Sequence, residues 1–352
     1  MIYLKKKVFL IILLMLIFTG CGKKDNTNII EKLQNKINGL NSYSIDGNLD
    51  IYAPEETFSY KINIGYLKDD YYKVDMINKN NNHEQIILKN KDAVYVITPS
   101  LNKSYKFESN WPNNSSQLYI LSTIINDIKE GEIEKVDNTY IIKTKASFPN
   151  NPNLVKEIIT LDKDLNLKSN EVYDKDDNLK MKFTVVNLDY KANYKEKDFK
   201  LENYIKAEEK EDNKNKIDNC DSDSNCQKEN NKKTGVIDNI LYPLYIPSNT
   251  YLTNSDTVDT ENGNRHILTF SGDKNFVLVE ETLKPSDEFE VIPVYGEIEL
   301  INDKLGIIND TSLTWDNDNI SYYLASSDIN GSELLKLGES IGYNNKIVSF
   351  EK

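Results

Sequence analysis

Between Tyr43 and Phe107 the chain runs through six short strand-like stretches separated by brief polar turns. The first three alternate apolar with polar or small positions: Tyr43, Ile45, Gly47, Leu49 and Ile51; then Phe58, Tyr60, Ile62, Ile64 and Tyr66; then Tyr72, Val74 and Met76. A period of two gathers one set of side chains on one face of a strand, which a helix cannot do. Residues 85–88, 93–98 and 103–107 follow as three more strands. The turns are Lys68-Asp69-Asp70, Asn78–Asn82, Asn90-Lys91-Asp92 and Pro99–Asn102. Strands joined this closely pair with their neighbours, so the segment predicts an antiparallel meander. Its apolar face requires a cover.

Two amphipathic helices are available as that cover. Ile30, Leu33, Ile37 and Leu40 recur at three- and four-residue spacing and predict a helix over Ile29–Leu40, ended by Gly39 and Asn41. Leu118, Leu121, Ile124, Ile125 and Ile128 predict a second over Ser115–Lys129, ended by Gly131. Strands resume at Tyr140–Lys143, Leu154–Leu161, Ser169–Tyr173 and Lys180–Leu188, and Asp198–Tyr204 closes the domain. Residues 206–235 are almost devoid of apolar side chains and cannot offset the entropy of ordering, so they read as a disordered polar linker. Beyond it, Leu241–Pro247 is extended around its two prolines. Strands are expected around His266–Phe270, Phe276–Glu280, Val291–Tyr295, Gly306–Ile308, Ser312–Trp315 and Ser321–Ala325. A short helix over Ser332–Leu337 takes Ser332 as its N-cap. The fold class is α+β: a curved antiparallel β-sheet, an open half-barrel covering helices, over residues 29–205, plus a smaller α+β domain over 236–352.

The N-terminus decides where such a body resides. Lys5, Lys6 and Lys7 precede eleven uninterrupted apolar residues, Val8–Phe18, and Thr19-Gly20-Cys21 follow. That is a signal peptide over residues 1–20, too short to span a bilayer, which needs about 20 apolar residues. Phe18-Thr19-Gly20-Cys21 resembles the bacterial lipobox, with Phe18 where leucine is the usual residue. The resemblance implies a diacylglyceryl group on Cys21 and cleavage before it. One acyl chain, at roughly 0.8 kcal/mol per buried methylene, anchors only marginally, whereas two or three hold firmly. Residues 21–28 then form a polar tether reaching roughly 20 Å if extended.

The chain has 43 basic and 56 acidic residues. Losing residues 1–20 removes three lysines and leaves 40 against 56. An acidic body is repelled by anionic lipid and nucleic acid alike. It lacks the basic stripe nucleic-acid binding requires, so the lipid must supply membrane residence. Cys220 and Cys226 lie in the linker, in a compartment where disulfides persist. They can pair and close a small loop, and free thiols are the alternative. His83 and His266 fall in different domains and read as a surface turn residue and a strand residue. Asp221–Asn225 opens like a calcium loop, but Cys226 stands at the glycine position and Lys232 at that of the bidentate glutamate. No nucleophile elbow, zinc-protease motif or phosphate loop occurs, and the carboxylates look spread through turns and linker. The reading is therefore a non-enzyme with no cofactor and no metal.

The lipobox, the helix Ile29–Leu40, the meander Ser42–Phe107 and the helix Ser115–Lys129 resemble the LolA/LolB-like lipoprotein-carrier fold. More narrowly, Pro243, Tyr245, Pro247, Leu252, Phe270, Gly272, Phe276, Leu278 and Trp315 resemble the sporulation-associated lipoproteins of endospore-forming bacteria, a neighbourhood that includes the GerS-type germination lipoproteins of clostridia. That resemblance implies a lipid-anchored protein on the extracytoplasmic face of a Gram-positive cell or forespore membrane. Its role would be a non-catalytic scaffold in envelope or spore-cortex remodelling, with a cell-wall amidase or other envelope protein as partner. The carrier side implies instead a groove for an acyl chain, lined by Tyr60, Ile62, Ile64, Tyr72 and Val74 under a lid of Trp111, Leu118, Leu121 and Ile125. The same stripes equally make an ordinary core in which these residues bury one another. An envelope sensor is a third reading.

Overall fold

The computed structural model describes residues 22–53, 56–205, 236, 237, 239–317 and 319–341. Cys21, the linker 206–235 and its two cysteines lie outside them. Helix α1 spans Gly22–Asn38. Then come β1 (Ser42–Tyr52), β2 (Thr57–Leu67), β3 (Tyr71–Asn78), β4 (Glu84–Lys89), β5 (Val94–Thr98) and β6 (Lys103–Phe107). Helix α2 (Leu121–Asp127) leads to β7 (Glu132–Val136), β8 (Thr139–Lys145), β9 (Leu154–Asp162), β10 (Leu167–Asp174) and β11 (Leu179–Asp189). The last part holds β12 (Thr250–Thr260), β13 (Gly263–Gly272), β14 (Phe276–Thr282), β15 (Glu290–Val294), β16 (Glu297–Ile301), β17 (Lys304–Ile308), β18 (Ser312–Asn317), β19 (Ile320–Ala325) and helix α3 (Gly331–Glu339). The chain is α+β, dominated by open antiparallel sheet.

It forms two compact units that do not follow chain order. The first comprises residues 1–57 and 112–193, the second 58–111 and 194–352. In the first, strands lie in the order β1-β11-β10-β9-β8-β7, all antiparallel. Every second residue of β1 is buried, Tyr43 through Ile51, as its alternation demands. Gly47 sits at a bulge in the pairing with β11, and a Cβ there would overlap the ring of Phe183. Helices α1 and α2 touch, and Leu33, Ile37, Leu121, Ile124 and Ile125 on them are buried.

Both helices differ from expectation. Helix α1 starts seven residues earlier than its apolar spacing, because Gly22–Asn28 offers no apolar residue to mark the period. Helix α2 is shorter: residues 115–120 are not helical, and a 3-10 turn follows at Ile128–Glu130. The backbone of 116–120 is bonded elsewhere. Ser116 N–H donates to the Ser147 carbonyl at 2.8 Å, and Asn170 Nδ2 donates to the Leu118 carbonyl at 3.1 Å. Asp198–Tyr204 resolves into two 3-10 turns.

The second unit holds two sheets. One has the order β15-β6-β5-β4-β3-β2, in which β2–β6 form the expected meander and β15 adds to β6 in parallel. The other is seven-stranded, β12-β13-β14-β19-β18-β17-β16. Its core joins Leu268, Phe270, Phe276, Leu278, Leu313, Trp315 and Leu324 to Leu334, Leu335 and Leu337 of α3. Phe270 stacks on Phe276 at 4.3 Å and Trp315 on Tyr322 at 5.0 Å. Gln85 on β4 ties the two sheets together: its Oε1 accepts from Leu305 N–H at 2.8 Å and its Nε2 donates to the Leu305 carbonyl at 3.3 Å. The cap of α3 is Asn330, whose Oδ1 accepts from Glu333 N–H at 3.0 Å. Ser332, the expected cap, lies inside the helix and donates to Asn330 at 2.9 Å.

Candidate functional site

The nine residues assigned to a groove and lid are all buried. Tyr60, Ile62, Ile64, Tyr72, Val74 and Trp111 belong to the second unit, and Leu118, Leu121 and Ile125 to the first. Trp111 stands edge-on to Tyr72 at 5.9 Å, and its carbonyl accepts from Lys89 Nζ at 2.6 Å. The Tyr60 hydroxyl donates to the Asp303 carboxylate at 2.9 Å and accepts from Asn78 Nδ2 at 3.2 Å. Burial, and next the Asp303 charge, push that hydroxyl well above the usual tyrosine range. The described residues contain no group of three or more His, Cys, Asp or Glu placed to hold a metal.

A polar cleft of about 560 Å³ in the second unit is lined by Asp69, Asp70, Lys89, Lys91, Asp92, Glu108, Ser109 and Glu297, among others. Asp69 and Asp70 both take left-handed backbone, φ 72° and 75°, which aspartate tolerates better than most residues. Several of its charges are already engaged. Lys89 meets Asp70 at 2.5 Å, Lys91 meets Glu196 at 2.9 Å, and Ser109 Oγ donates to Glu297 at 2.5 Å.

The seven-stranded sheet carries a different feature. Asn264, His266, Glu280 and Thr282 are buried polar residues of β13 and β14. They grip the backbone of the segment that enters the sheet after the linker. Ile237 N–H donates to Asn264 Oδ1 at 2.8 Å, and Asn264 Nδ2 donates back to the Ile237 carbonyl at 3.3 Å. Leu241 N–H donates to Glu280 Oε1 at 2.9 Å. Further along, Leu244 N–H donates to the Ser340 carbonyl, Tyr245 OH donates to Glu333, and Lys336 Nζ lies 3.6 Å from the centroid of the Tyr245 ring. Glu280 is fully buried, and burial pushes its carboxyl up to about 7 against the pull of the Leu241 N–H. Its other oxygen has no partner among the described residues. Such a group is costly to bury and persists only where the surroundings fix it.

Along this segment apolar side chains alternate, with Pro243 and Pro247 buried, Tyr245 half-buried and the residues beside them facing out. Tyr242 is 48 % exposed, Leu244 75 % and Ile246 38 %, on alternate residues of the segment. On β12, Tyr251 is 66 % exposed, Leu252 41 % and Val258 48 %. Of the thirteen exposed large apolar side chains described, seven fall within residues 236–258. Apolar exposure concentrated in this way marks an interaction surface more often than scattered exposure does. Sequence reading identified the Pro243–Pro247 stretch as extended but could not say which side chains face out.

A second buried polar cluster lies in the first unit. Glu157 is fully buried, with Asn170 Nδ2 donating to one oxygen at 2.5 Å and no partner for the other among the described residues. Burial, then the nearby Asp127 charge, push its carboxyl up to about 8. Asp127 is itself pushed up to about 6 by burial. From the sequence the carboxylates look spread through turns and linker; Glu280 falls in a strand in phase with Phe276 and Leu278, but neither it nor Glu157 stands out as a buried carboxylate. A signal was present: Glu157 alternates with Val155, Ile159 and Leu161, and Glu280 with Phe276 and Leu278.

No family model matches the chain. Over 334 residues, 94 % of this chain and 94 % of the relative, it is 28 % identical to Sporulation protein YdcC of Bacillus subtilis strain 168. Among solved structures it is similar to the LolA superfamily protein NE2245 from Nitrosomonas europaea. That likeness has 11 % identity and a TM-score of 0.31, and it covers 51 % of this chain and 98 % of that one. It is also similar to a chain of the CwlD amidase complex with the GerS lipoprotein from Clostridioides difficile. Here identity is 18 % and the TM-score 0.26, over 48 % of this chain and 95 % of that one.

Proposed function

We propose that this chain is a lipid-anchored, extracytoplasmic protein of the sporulating cell's envelope that works by holding a protein partner, without catalysis. The observation that carries the reading is the alternate residues Tyr242, Leu244 and Ile246, exposed on a segment whose backbone is held at Ile237 and Leu241 by buried Asn264 and Glu280. Exposed apolar side chains on a mobile loop would collapse onto the nearest surface. On a fixed backbone they stay available, and burying each against a partner contributes about 1–3 kcal/mol. The signal peptide and Cys21 supply the membrane address, and the full-length likeness to a sporulation protein supports the setting. The Clostridioides difficile likeness comes from a complex of an amidase with a lipoprotein, and an envelope enzyme of that kind is the partner we favour.

The test is chemical cross-linking of the full chain in sporulating cells, beside a Leu244→Asp, Tyr251→Ser variant that leaves the buried grip intact. The native chain is expected to capture an envelope protein, and the variant to lose it while keeping its far-ultraviolet spectrum. Identical capture by both proteins would overturn the proposal.

A further inference from the structure

Of the outer strands β7, β15, β16 and β12, three are protected. β7, Glu132–Val136, is five residues long with three charges. β15, Glu290–Val294, is five residues long and carries Pro293, which has no N–H to offer. β16, Glu297–Ile301, is five residues long and carries two glutamates. Short length, charge and proline are the usual ways of blocking a free sheet edge. The fourth, β12, is the longest and the least blocked: it holds two aspartates and a bulge between Leu252 and Asn254. It is eleven residues long and contains no lysine, arginine or proline. Nine consecutive residues, 251–259, are exposed. On its inner side it is fixed to β13 from Thr250 opposite Gly272 to Thr260 opposite Gly263. Among the described residues no strand pairs with its outer side.

We infer that the outer edge of β12 is a docking site for an extended, Lys- or Arg-bearing segment of a partner protein, which joins the sheet as an eighth strand. The inference rests on the binding role proposed above and specifies its partner chemistry. Strand addition draws affinity from main-chain hydrogen bonds and specificity from alternate side chains. The main-chain groups are the outward N–H and C=O of β12. The side chains are Tyr251, Leu252 and Val258, exposed and apolar, and Asp256 and Asp259, exposed and anionic, with Glu261 in the following turn. The neighbouring cation cannot neutralise them. Arg265 is engaged through both nitrogens with Glu281, at 2.9 and 2.8 Å. A second copy of the chain would bring the same aspartates against its own, and like charges across a strand pair are unfavourable. A basic strand meets no such opposition.

The experiment places a photo-cross-linking residue at Ser255 on the edge or at Leu244 on the apolar row, in the full chain, in sporulating cells. Strand addition predicts that Ser255 cross-links to a Lys- or Arg-containing peptide of another protein. It also predicts that Asp256→Lys with Asp259→Lys lowers that adduct by about tenfold or more, while hydrogen exchange in β13 and β14 stays unchanged. An adduct at Ser255 with this chain's own residues, or with a second copy, overturns the inference. So does an adduct that survives the charge reversal. Cross-linking at Leu244 without Ser255 overturns strand addition and leaves the binding role standing. Cross-linking at neither position overturns both.

Discussion

Replacing Glu157 by glutamine should make the first unit more stable at alkaline pH and leave it nearly unchanged at acid pH. The carboxyl is fully buried on the apolar face of β9, and among the described residues it is bonded only to Asn170 Nδ2. Its folded pKa, pushed up to about 8 by burial, lies above the ordinary glutamate value of 4.5. Between those values the folded chain holds a proton that the unfolded chain has released. Stability contributed by the protonated form is therefore complete below pH 4.5 and is lost as pH rises through about 8. Each pH unit in that window is worth about 1.4 kcal/mol, so the loss by pH 8 is on the order of 4–5 kcal/mol. Glutamine keeps the size and the oxygen that Asn170 binds, and it cannot ionise. Asp127, pushed up in the same direction to about 6, leaves a smaller slope in the variant that ends near that pH. The assay is urea unfolding at a series of pH values from 5 to 9, read by hydrogen exchange in β9 and β10. The Glu157→Gln protein should match the native chain within about 1 kcal/mol at pH 5 and exceed it by several at pH 9. Parallel pH curves for the two proteins would refute the burial argument. A variant weakened equally at every pH would show that the carboxyl contributes through packing alone.

Three further outcomes follow from single contacts. Gly47→Ala should destabilise the first unit by about 1–3 kcal/mol, because the new methyl overlaps the Phe183 ring. Phe183→Leu in the same chain should recover part of that loss in thermal melts. Asn330→Ala should cost about 1 kcal/mol through loss of the α3 cap, whereas Ser332→Ala should cost a few tenths. Denaturant midpoints of the two variants separate these. Cys21→Ala should remove label from cells fed radioactive fatty acid and move the protein out of the membrane fraction, and an unlabelled native chain would dismiss the anchor altogether.

Sequence reading succeeded where burial imposes a pattern. β1–β3 bury mainly one face and β4 and β5 bury both, so alternation or an apolar run reveals them before any coordinates. It failed where a strand has no buried face. β12 is exposed along nearly its whole length and β7 has a single half-buried residue between exposed ones, so neither shows the period that marks a strand. Val291–Tyr295 was legible as extended, but its partner was not. The parallel pairing with β6 depends on Glu290 N–H donating to the Asn102 carbonyl and on Asn102 Nδ2 reaching the Ser286 carbonyl. Contacts between residues this far apart leave no local trace. Helix α2 was overestimated for the same reason: Ser147 and Asn170 draw residues 116–120 out of the helix from distant strands.

The candidate surface shows why binding residues are harder to read than cores. Leu244 and Leu334 are the same residue in apolar stretches, and one is 75 % exposed while the other is fully buried. What separates them is alternation on an extended backbone: Pro243 and Pro247 are buried and Tyr245 packs on the core, so Leu244 faces out. Glu280 holds the start of that segment by taking the Leu241 N–H. Burying Glu280 with one oxygen unpartnered weakens the fold, and its carboxyl rises to about 7 in consequence. A sequence selected for stability alone would place a leucine there, continuing the run Phe276 and Leu278. The polar residue is accounted for if the outward display of Tyr242, Leu244 and Ile246 matters more than the stability it forgoes.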